Sequence, residues 1–124
     1  MKRRVPALAC TMLGAVALGG CLDGADAPVV RGGDASRGRA TLARLECDVC
    51  HVIPGVPGVN GHLGPSLAQF RHRVHLVGRF PNDPEVLVRW LVDPPAMLPD
   101  TAMPAIGATE AEARDMAAYL YTLE

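Results

Sequence analysis

Five consecutive residues have the types and the spacing to hold a cofactor: Cys47-Asp48-Val49-Cys50-His51. Two thiols three residues apart can add to the two vinyl groups of one haem, and an imidazole directly after the second thiol can bind the iron. This C-x-x-C-H pattern is the attachment signature of a c-type haem. It predicts Cys47 and Cys50 as thioether anchors and His51 as one axial ligand.

The same cysteine spacing also occurs in other kinds of site. A C-x-x-C pair can be a redox dithiol or half of a zinc site, and in an exported chain it can be a disulfide. A zinc site needs a second ligand pair, but only two residues separate His72 from His75, which does not give the H-x₃₋₅-H spacing. A thioredoxin-like dithiol needs a βαβ pattern, whereas helix, Gly/Pro-rich loop and helix are predicted here. The adjacent His51 favours haem.

The composition allows one small domain. Among 124 residues there are only five aromatic side chains, one Trp, two Tyr and two Phe. A domain of this size with so few large side chains has a thin core. A covalently held haem would supply the missing apolar bulk.

The first 20 residues have the layout of a secretory signal peptide. The basic residues Lys2 to Arg4 precede an apolar run from Val5 to Gly20, which is too short and wrongly flanked for a membrane-spanning helix. Leu18-Gly19-Gly20-Cys21 resembles a bacterial lipobox, which predicts a lipidated Cys21 at the start of the mature chain. Cleavage after Ala25-Asp26-Ala27 is the competing prediction, and an uncleaved anchor is a third.

The predicted processing fixes the charge and the location of the mature chain. Without residues 1–20 it has nine basic residues, all arginine, against 13 acidic residues, a formal charge of −4. Nothing in this balance argues for nucleic acid. A mildly acidic electron carrier is expected to dock on a basic or neutral patch of its partner. The signal predicts an exported, periplasmic protein, anchored to a membrane through the lipid on Cys21.

Helix signals organise the remainder of the chain. Residues 21–33 are predicted to be a flexible tether and residues 34–124 the folded domain. Asp34 is the predicted N-cap of a helix that reaches about Glu46, and Ser66 that of a short helix from Leu67 to about Arg73.

Two further helices are predicted nearer the C-terminus. Asp83-Pro84 begins one, and Pro94-Pro95 ends it. A capping box from Thr109 to Glu112 opens the other. Its apolar face is expected to consist of Ala113, Met116, Ala117, Leu120 and Leu123. Residues 54–65 and 99–107 are predicted loops, no strand is predicted, and the fold class is therefore all-α.

Seven short stretches follow one another in a highly specific order. They are Cys47-Asp48-Val49-Cys50-His51, Gly64-Pro65-Ser66-Leu67, Pro81-Asn82-Asp83-Pro84-Glu85, Val88-Arg89-Trp90-Leu91, Asp93-Pro94, Thr101-Ala102-Met103-Pro104 and Ala117-Ala118-Tyr119-Leu120. In this order they resemble class I cytochrome c, from about Gly33 to Leu123. Within that class the chain looks most like the small cytochrome domains fused to subunit II of some haem–copper oxidases. The resemblance implies the cytochrome c fold, about four helices wrapped around one covalently attached haem c.

The resemblance also implies roles for single residues. Met103, in a Met-Pro pair before the last helix, matches the distal axial ligand, whose thioether raises the reduction potential relative to a second imidazole. Pro65 matches the proline whose carbonyl accepts a hydrogen bond from the proximal imidazole. Trp90 matches a tryptophan that donates its indole N–H to a haem propionate. Arg71 or Arg73 is expected to help neutralise a propionate.

Several of these roles have competing interpretations. Met97 and Met116 are the other methionines that compete with Met103. A bis-histidine site would use one of His62, His72 and His75. Trp90 can equally be a plain core residue.

The resemblance also implies a helix crossing, and the chain differs from the family in two respects. Gly38 and Leu42 match first-helix positions that cross the last helix at Met116 and Tyr119. The fused oxidase domains follow a membrane-anchored copper domain that this chain lacks, so we do not expect an oxidase subunit of that kind. Docking through a ring of lysines has no counterpart, because Lys2 is the only lysine.

Together these patterns predict a membrane-tethered, monohaem, outer-sphere electron carrier of a bacterial respiratory or periplasmic chain, and not an enzyme. Its expected partners are redox proteins such as a terminal oxidase, a cytochrome complex or a dehydrogenase. The alternatives are a haem peroxidase or small-molecule sensor in which Met103 dissociates, a cytochrome subunit of a larger oxidoreductase, and an exported dithiol module without haem.

Overall fold

The computed structural model describes residues 27–124. Within that range the helices are α1 (Ala35–Arg44), α2 (Pro84–Val92), α3 (Pro94–Met97) and α4 (Glu110–Leu120). Single 3₁₀ turns cover Cys47–Val49 and Phe70–His72, and an antiparallel pair of two-residue strands consists of β1 (His75–Leu76) and β2 (Phe80–Pro81). The predicted all-α fold is confirmed, although the expectation of no strand is wrong for this small ladder. The predicted signal peptide and Cys21 lie outside the described residues.

Three helices begin where their capping residues predict. The Asp34 side chain accepts a hydrogen bond from the amide of Arg37 at 2.8 Å. The Asp83 side chain accepts one from the amide of Glu85 at 3.0 Å, and Pro84 occupies the first turn. The capping box of α4 is complete, with Thr109 and Glu112 each bonded to the other's backbone amide. Each cap satisfies amides that a helix start leaves without intrahelical partners.

Two predicted helices are shorter in the structure. α1 ends at Arg44, not near Glu46, because Glu46 adopts a left-handed backbone conformation with φ of 55° and starts the 3₁₀ turn that contains Cys47. The helix expected from Leu67 to Arg73 is a single 3₁₀ turn at residues 70–72, since Gln69 has a φ of 54°. Residues other than glycine rarely adopt this left-handed backbone conformation, and it cannot continue a right-handed helix.

The Pro94-Pro95 pair was expected only to end a helix, and it also begins one. α2 stops at Val92, and Asp93 then caps α3 by accepting a hydrogen bond from the Ala96 amide at 3.1 Å. Prolines at the first helical positions cost nothing, because the amides they lack would be unpaired there anyway.

The predicted crossing of Gly38 with the last helix is confirmed. Gly38 is buried, and a Cβ atom at this position would overlap the carbonyl of Asp115 in α4. Beside the crossing, Arg37 donates two hydrogen bonds of 2.8 Å to Asp115, which hold the pKa of that carboxyl below its usual range. The crossing fixes the two ends of the domain against each other.

The core lies between α1, α2 and α4. Its buried side chains include Leu42, Leu87, Leu91, Met116 and Leu120. The end of the predicted tether joins this core, because Val30 is only 7% exposed and Gly33 packs against the backbone of Arg114.

No helix between residues 27 and 124 is long and apolar enough to cross a membrane.

Candidate functional site

Residues from distant parts of the chain line one large cleft. Its volume is about 650 Å³, and its lining is mainly apolar. The residues singled out from the sequence that line it are Cys47, Cys50, His51, Pro65, Trp90 and Met103. Leu42, Leu87 and Leu120 form part of its wall, so the cleft opens directly onto the hydrophobic core.

His51 is oriented by a backbone carbonyl. Its Nδ1 lies 2.7 Å from the carbonyl oxygen of Pro65. A carbonyl can only accept, so Nδ1 carries the proton and Nε2 keeps the lone pair that a metal would need. The contact implied for Pro65 by the family resemblance is therefore present. Gly64 lies against the ring, and a Cβ atom there would overlap the imidazole.

The loop that delivers Pro65 is bonded along the C-x-x-C-H segment. The amides of Gly61, Gly64 and Leu67 donate to the carbonyls of Asp48, Cys50 and Val52, each at 2.8 Å. A fourth bond comes from a side chain: Oδ2 of Asp48 accepts from the amide of Val59 at 2.7 Å. These bonds fix the loop at intervals of two or three residues and so set the position of the Pro65 carbonyl.

Asp48 is the anchor of this loop that sequence reasoning missed. It is only 6% exposed, and a Cβ atom on Gly58 would overlap its carboxylate. The sequence did contain a signal for this role. Asp48 is an acidic residue inside the C-x-x-C-H motif, and a glycine-rich loop that its carboxylate can cap follows the motif directly.

We expect Asp48→Ala to destabilise the protein and to shift its reduction potential. The change removes the carboxylate that accepts a hydrogen bond from the partly buried Val59 amide, and loss of such a bond costs about 1 kcal/mol of unfolding free energy. It also loosens the loop that holds the Pro65 carbonyl on His51, and such bonds tune the ligand. Asp48→Asn keeps an acceptor and should restore most of the wild-type potential. Chemical denaturation and potentiometric titration measure the two effects.

Asp115→Ala is the matched control for Asp48→Ala. It removes another buried, hydrogen-bonded carboxylate, but at the crossing of α1 with α4. We expect it to lower the unfolding free energy and to leave the potential unchanged. Equal potentials in wild type, Asp48→Ala and Asp115→Ala would show that Asp48 has no positioning role.

Cys47 has the character of a buried thiol, not of a reactive nucleophile. Cys47 and Cys50 are both free and partly buried, and burial raises the pKa of Cys47 to about 11. A redox dithiol needs a depressed pKa, because the thiolate is the nucleophile. Among residues 27–124 no three His, Cys, Asp or Glu side chains form a group that could hold a metal ion. The raised pKa disfavours Cys47 as the nucleophile of a redox dithiol, and residues 27–124 offer no set of three side chains for a zinc ion.

Met103 is the methionine that lines the cleft with His51. Its amide donates to Oγ1 of Thr101 at 3.2 Å, which shapes the turn that carries it. Met97 lines a different groove, next to Arg89 and Asp93, and Met116 is fully buried in the core face of α4. The remaining candidates are exposed and do not line the cleft; they are His62, His72 and His75. The geometry thus favours Met103 over every competing ligand.

Trp90 and Arg73 supply hydrogen-bond donors to the same cleft. Trp90 is buried against Phe80, and within residues 27–124 its indole N–H has no protein acceptor. Arg73 donates to the carbonyl of Ser66 and lies 5.4 Å from the centroid of the Phe70 ring. Arg71 instead pairs with Glu124 and does not line the cleft. Of the two arginines, only Arg73 is placed to approach an acidic group bound there.

Asn82 is a second residue whose role the sequence did not reveal. Its side-chain amide donates to the carbonyls of Phe70 and Arg73 at 3.1 and 3.0 Å, and its oxygen accepts from the hydroxyl of Tyr121 at 3.0 Å. Burial raises the pKa of Tyr121, so the phenol stays protonated and remains a donor. Asn82 therefore holds the turn that presents Arg73. The signal for this role in the sequence was an asparagine directly before Asp83, the N-cap of α2.

The donor set fits a covalently attached haem. Two thiols, an imidazole with its Nε2 free and a thioether meet in an apolar cleft, and imidazole with thioether is an established axial pair for haem iron. A small all-α domain with such a site defines a class, the proteins with covalently attached haem.

The chain belongs to the cytochrome c family, since the family model described as Cytochrome c matches residues 35–124. No curated protein matches the chain. Family membership makes it a c-type cytochrome with covalently bound haem c, one for a single domain of this size. It also agrees with a role in electron transfer. The roles assigned to individual site residues remain predictions, which the geometry above supports.

Proposed function

We propose that the protein is a monohaem, outer-sphere electron carrier that exchanges single electrons with other redox proteins outside the cytoplasm of a bacterium. The haem supplies one-electron Fe(III)/Fe(II) chemistry when bound. In this proposal Cys47 and Cys50 anchor it, and His51 and Met103 are its axial ligands. The apolar wall of the cleft excludes water and, with the ligands, sets the reduction potential.

The convergence of His51 and Met103 on one cleft is the observation that carries the proposal. His51 and Met103 would hold the iron through an imidazole nitrogen and a thioether sulfur, and an iron held in this way would have no open position for oxygen or a substrate. The Pro65 carbonyl accepts a hydrogen bond from Nδ1, so Nε2 keeps the lone pair that would bind the iron. An exchange of electrons through the haem edge needs none of these groups to move.

The location is proposed from the sequence alone. The basic start, the apolar run to Gly20 and the lipobox-like Leu18-Gly19-Gly20-Cys21 support export and a lipid anchor on Cys21. A domain tethered in this way would meet terminal oxidases, cytochrome complexes or dehydrogenases at the membrane surface.

Carbon monoxide binding and redox titration of the holoprotein test the function. We expect a reversible titration with one electron, and a ferrous spectrum at neutral pH that carbon monoxide does not change. Rapid carbon monoxide binding with peroxide turnover would instead support the sensor or peroxidase with a labile Met103. If expression with the cytochrome c maturation machinery yields a protein without covalent haem, the result would support the exported dithiol module. Stable co-purification with other chains would indicate a subunit of a larger oxidoreductase.

A further inference from the structure

A tight turn follows the C-x-x-C-H motif almost directly. The amide of Val56 donates to the carbonyl of Ile53 at 3.1 Å, and both side chains are buried in the core. Pro54 and Gly55 occupy the two central positions, and Gly55 has a φ of 76°. Proline at the second position and a positive φ at the third are the marks of a type II turn. We call this segment the Pro-Gly turn (residues 53–56).

The direction of one peptide distinguishes this turn from its commonest alternative. Between the type I and type II forms, the peptide that joins the two central residues rotates by roughly half a turn. Glycine at the third position is compatible with the φ of either form, so the residue types of the turn do not by themselves select one. The carbonyl of Pro54 belongs to this peptide, and a donor that holds it therefore selects the type II form.

Two side chains, one from each of the crossing helices, hold the Pro-Gly turn. The hydroxyl of Tyr119, in α4, donates to the Pro54 carbonyl at 2.7 Å. Arg39, in α1, donates through its Nε to the carbonyl of Gly55. A Cβ atom on Gly55 would overlap the Tyr119 hydroxyl, so the tyrosine lies directly against the turn. The α1–α4 pair thereby holds the segment that follows the haem-attachment motif.

The Pro-Gly turn is connected to the imidazole of His51 by a short path. Only two residues separate His51 from Pro54. The carbonyl of the first of them, Val52, accepts from the amide of Leu67 at 2.8 Å, two residues after Pro65. The Pro65 carbonyl lies in turn 2.7 Å from Nδ1 of His51. A displacement of the turn therefore reaches both partners of the hydrogen bond that orients the imidazole.

We propose that Tyr119 is a positioning residue for His51, and that Arg39 assists it by holding the same turn. This inference rests on the proposed function, since it takes His51 as an axial ligand of the haem iron. A carbonyl that accepts from Nδ1 makes an imidazole a more basic ligand, and a more basic ligand favours Fe(III) over Fe(II). By holding the turn, Tyr119 keeps this hydrogen bond short and the reduction potential correspondingly low.

Removal of the Tyr119 hydroxyl tests the role. In Tyr119→Phe the ring remains, but the Pro54 carbonyl loses its donor and the peptide is free to rotate. We expect the reduction potential of the holoprotein to rise. We also expect the Nδ1 proton of His51 to exchange with solvent about threefold faster in the ferrous protein, because a loosened loop opens more often. Potentiometric titration and proton NMR measure the two changes.

Thr122→Val is the matched control for Tyr119→Phe. The Thr122 hydroxyl donates to the backbone carbonyl of Tyr119 at 2.6 Å, near the end of α4. The control thus also loses one hydroxyl hydrogen bond, but not the bond to the Pro-Gly turn. It should keep the wild-type potential and the wild-type exchange of the His51 proton. Equal changes in the two variants would mean that Tyr119 only stabilises the helix end, and the proposal would be wrong.

Arg39→Ala is a second test through the other carbonyl of the turn. Arg39 is exposed, so this variant keeps the fold and carries the test even if Tyr119→Phe accumulates poorly. It should change both readouts in the same direction as Tyr119→Phe, and the double variant should shift the potential by less than the sum of the two. Arg44→Ala is its control, because Arg44 also lies in α1 but pairs with Glu112 of α4. That control should match the wild type.

The failure of this inference differs from a failure of the proposed function. If Tyr119→Phe and Arg39→Ala both keep the wild-type potential and exchange rate, the turn does not act on His51, and the electron-carrier function stands. A potential that falls in both variants would also contradict the positioning role. A wild-type protein purified without covalent haem would overturn the proposed function and this inference together.

Discussion

Replacing Met103 by alanine is expected to remove the low-spin signature of the haem and to open the iron to carbon monoxide. Met103 supplies the thioether at the cleft in which His51 lies. Alanine has no atom that could bind iron, so the weak iron–sulfur charge-transfer band should disappear. The reduction potential should fall, because the thioether raises it relative to other ligands.

The stability of the protein should fall as well. Truncation of a buried methionine costs about 2–5 kcal/mol, and Met103 is half-buried, which places the packing loss near the lower end. Visible spectra of the oxidised and reduced protein, carbon monoxide titration and chemical denaturation measure the three consequences.

Met97→Ala is the matched control for Met103→Ala. It removes the same side chain from the groove beside Arg89, outside the haem cleft. The control should keep the charge-transfer band and resist carbon monoxide. A Met103→Ala protein whose spectrum equals that of wild type would show that Met103 is not the ligand, and Met97 or a histidine would take its place.

The double variant Cys47→Ala/Cys50→Ala is expected to lose covalent haem completely and to accumulate poorly. Without thioether bonds the haem is held only by the axial ligands and by the wall of the cleft. Acid–acetone extraction should then remove all haem from the variant and none from the wild type. Any haem that the native variant retains should pass to apomyoglobin.

Poor accumulation follows from the size of the cleft. Without haem, a mainly apolar cleft of about 650 Å³ leaves core residues such as Leu42, Leu87 and Leu120 open to water. Exposing one such leucine costs about 1.5–3 kcal/mol, and the whole stability of a domain is only about 5–15 kcal/mol. The haem is therefore part of the core, and a chain that loses it should expose apolar surface and be degraded. Circular dichroism of the haem-free variant should show reduced helix.

Val49→Ala is the control for the cysteine variant. Val49 lies between the two cysteines and is half-exposed, so its truncation keeps the motif spacing and the buried surface nearly intact. It should mature normally. Covalent haem on the double variant would mean that side chains other than the two cysteines form the attachment.

The sequence by itself determined the features that depend on neighbouring residues. The C-x-x-C-H motif, the caps at Asp34 and Asp83 and the capping box of α4 involve groups at most four residues apart. Such hydrogen bonds form within one turn, so their partners are visible in a short window of sequence. The family resemblance added Met103 and Pro65, and the packing places both at the cleft with His51.

Only the tertiary structure decided which side chains meet. His51 and Met103 are separated by 52 positions in the sequence and line the same cleft in the packed chain. Composition could not distinguish Arg73, at the cleft, from Arg71, paired with Glu124. Burial and partner choice are properties of the packed chain, and they depend on residues far apart in sequence.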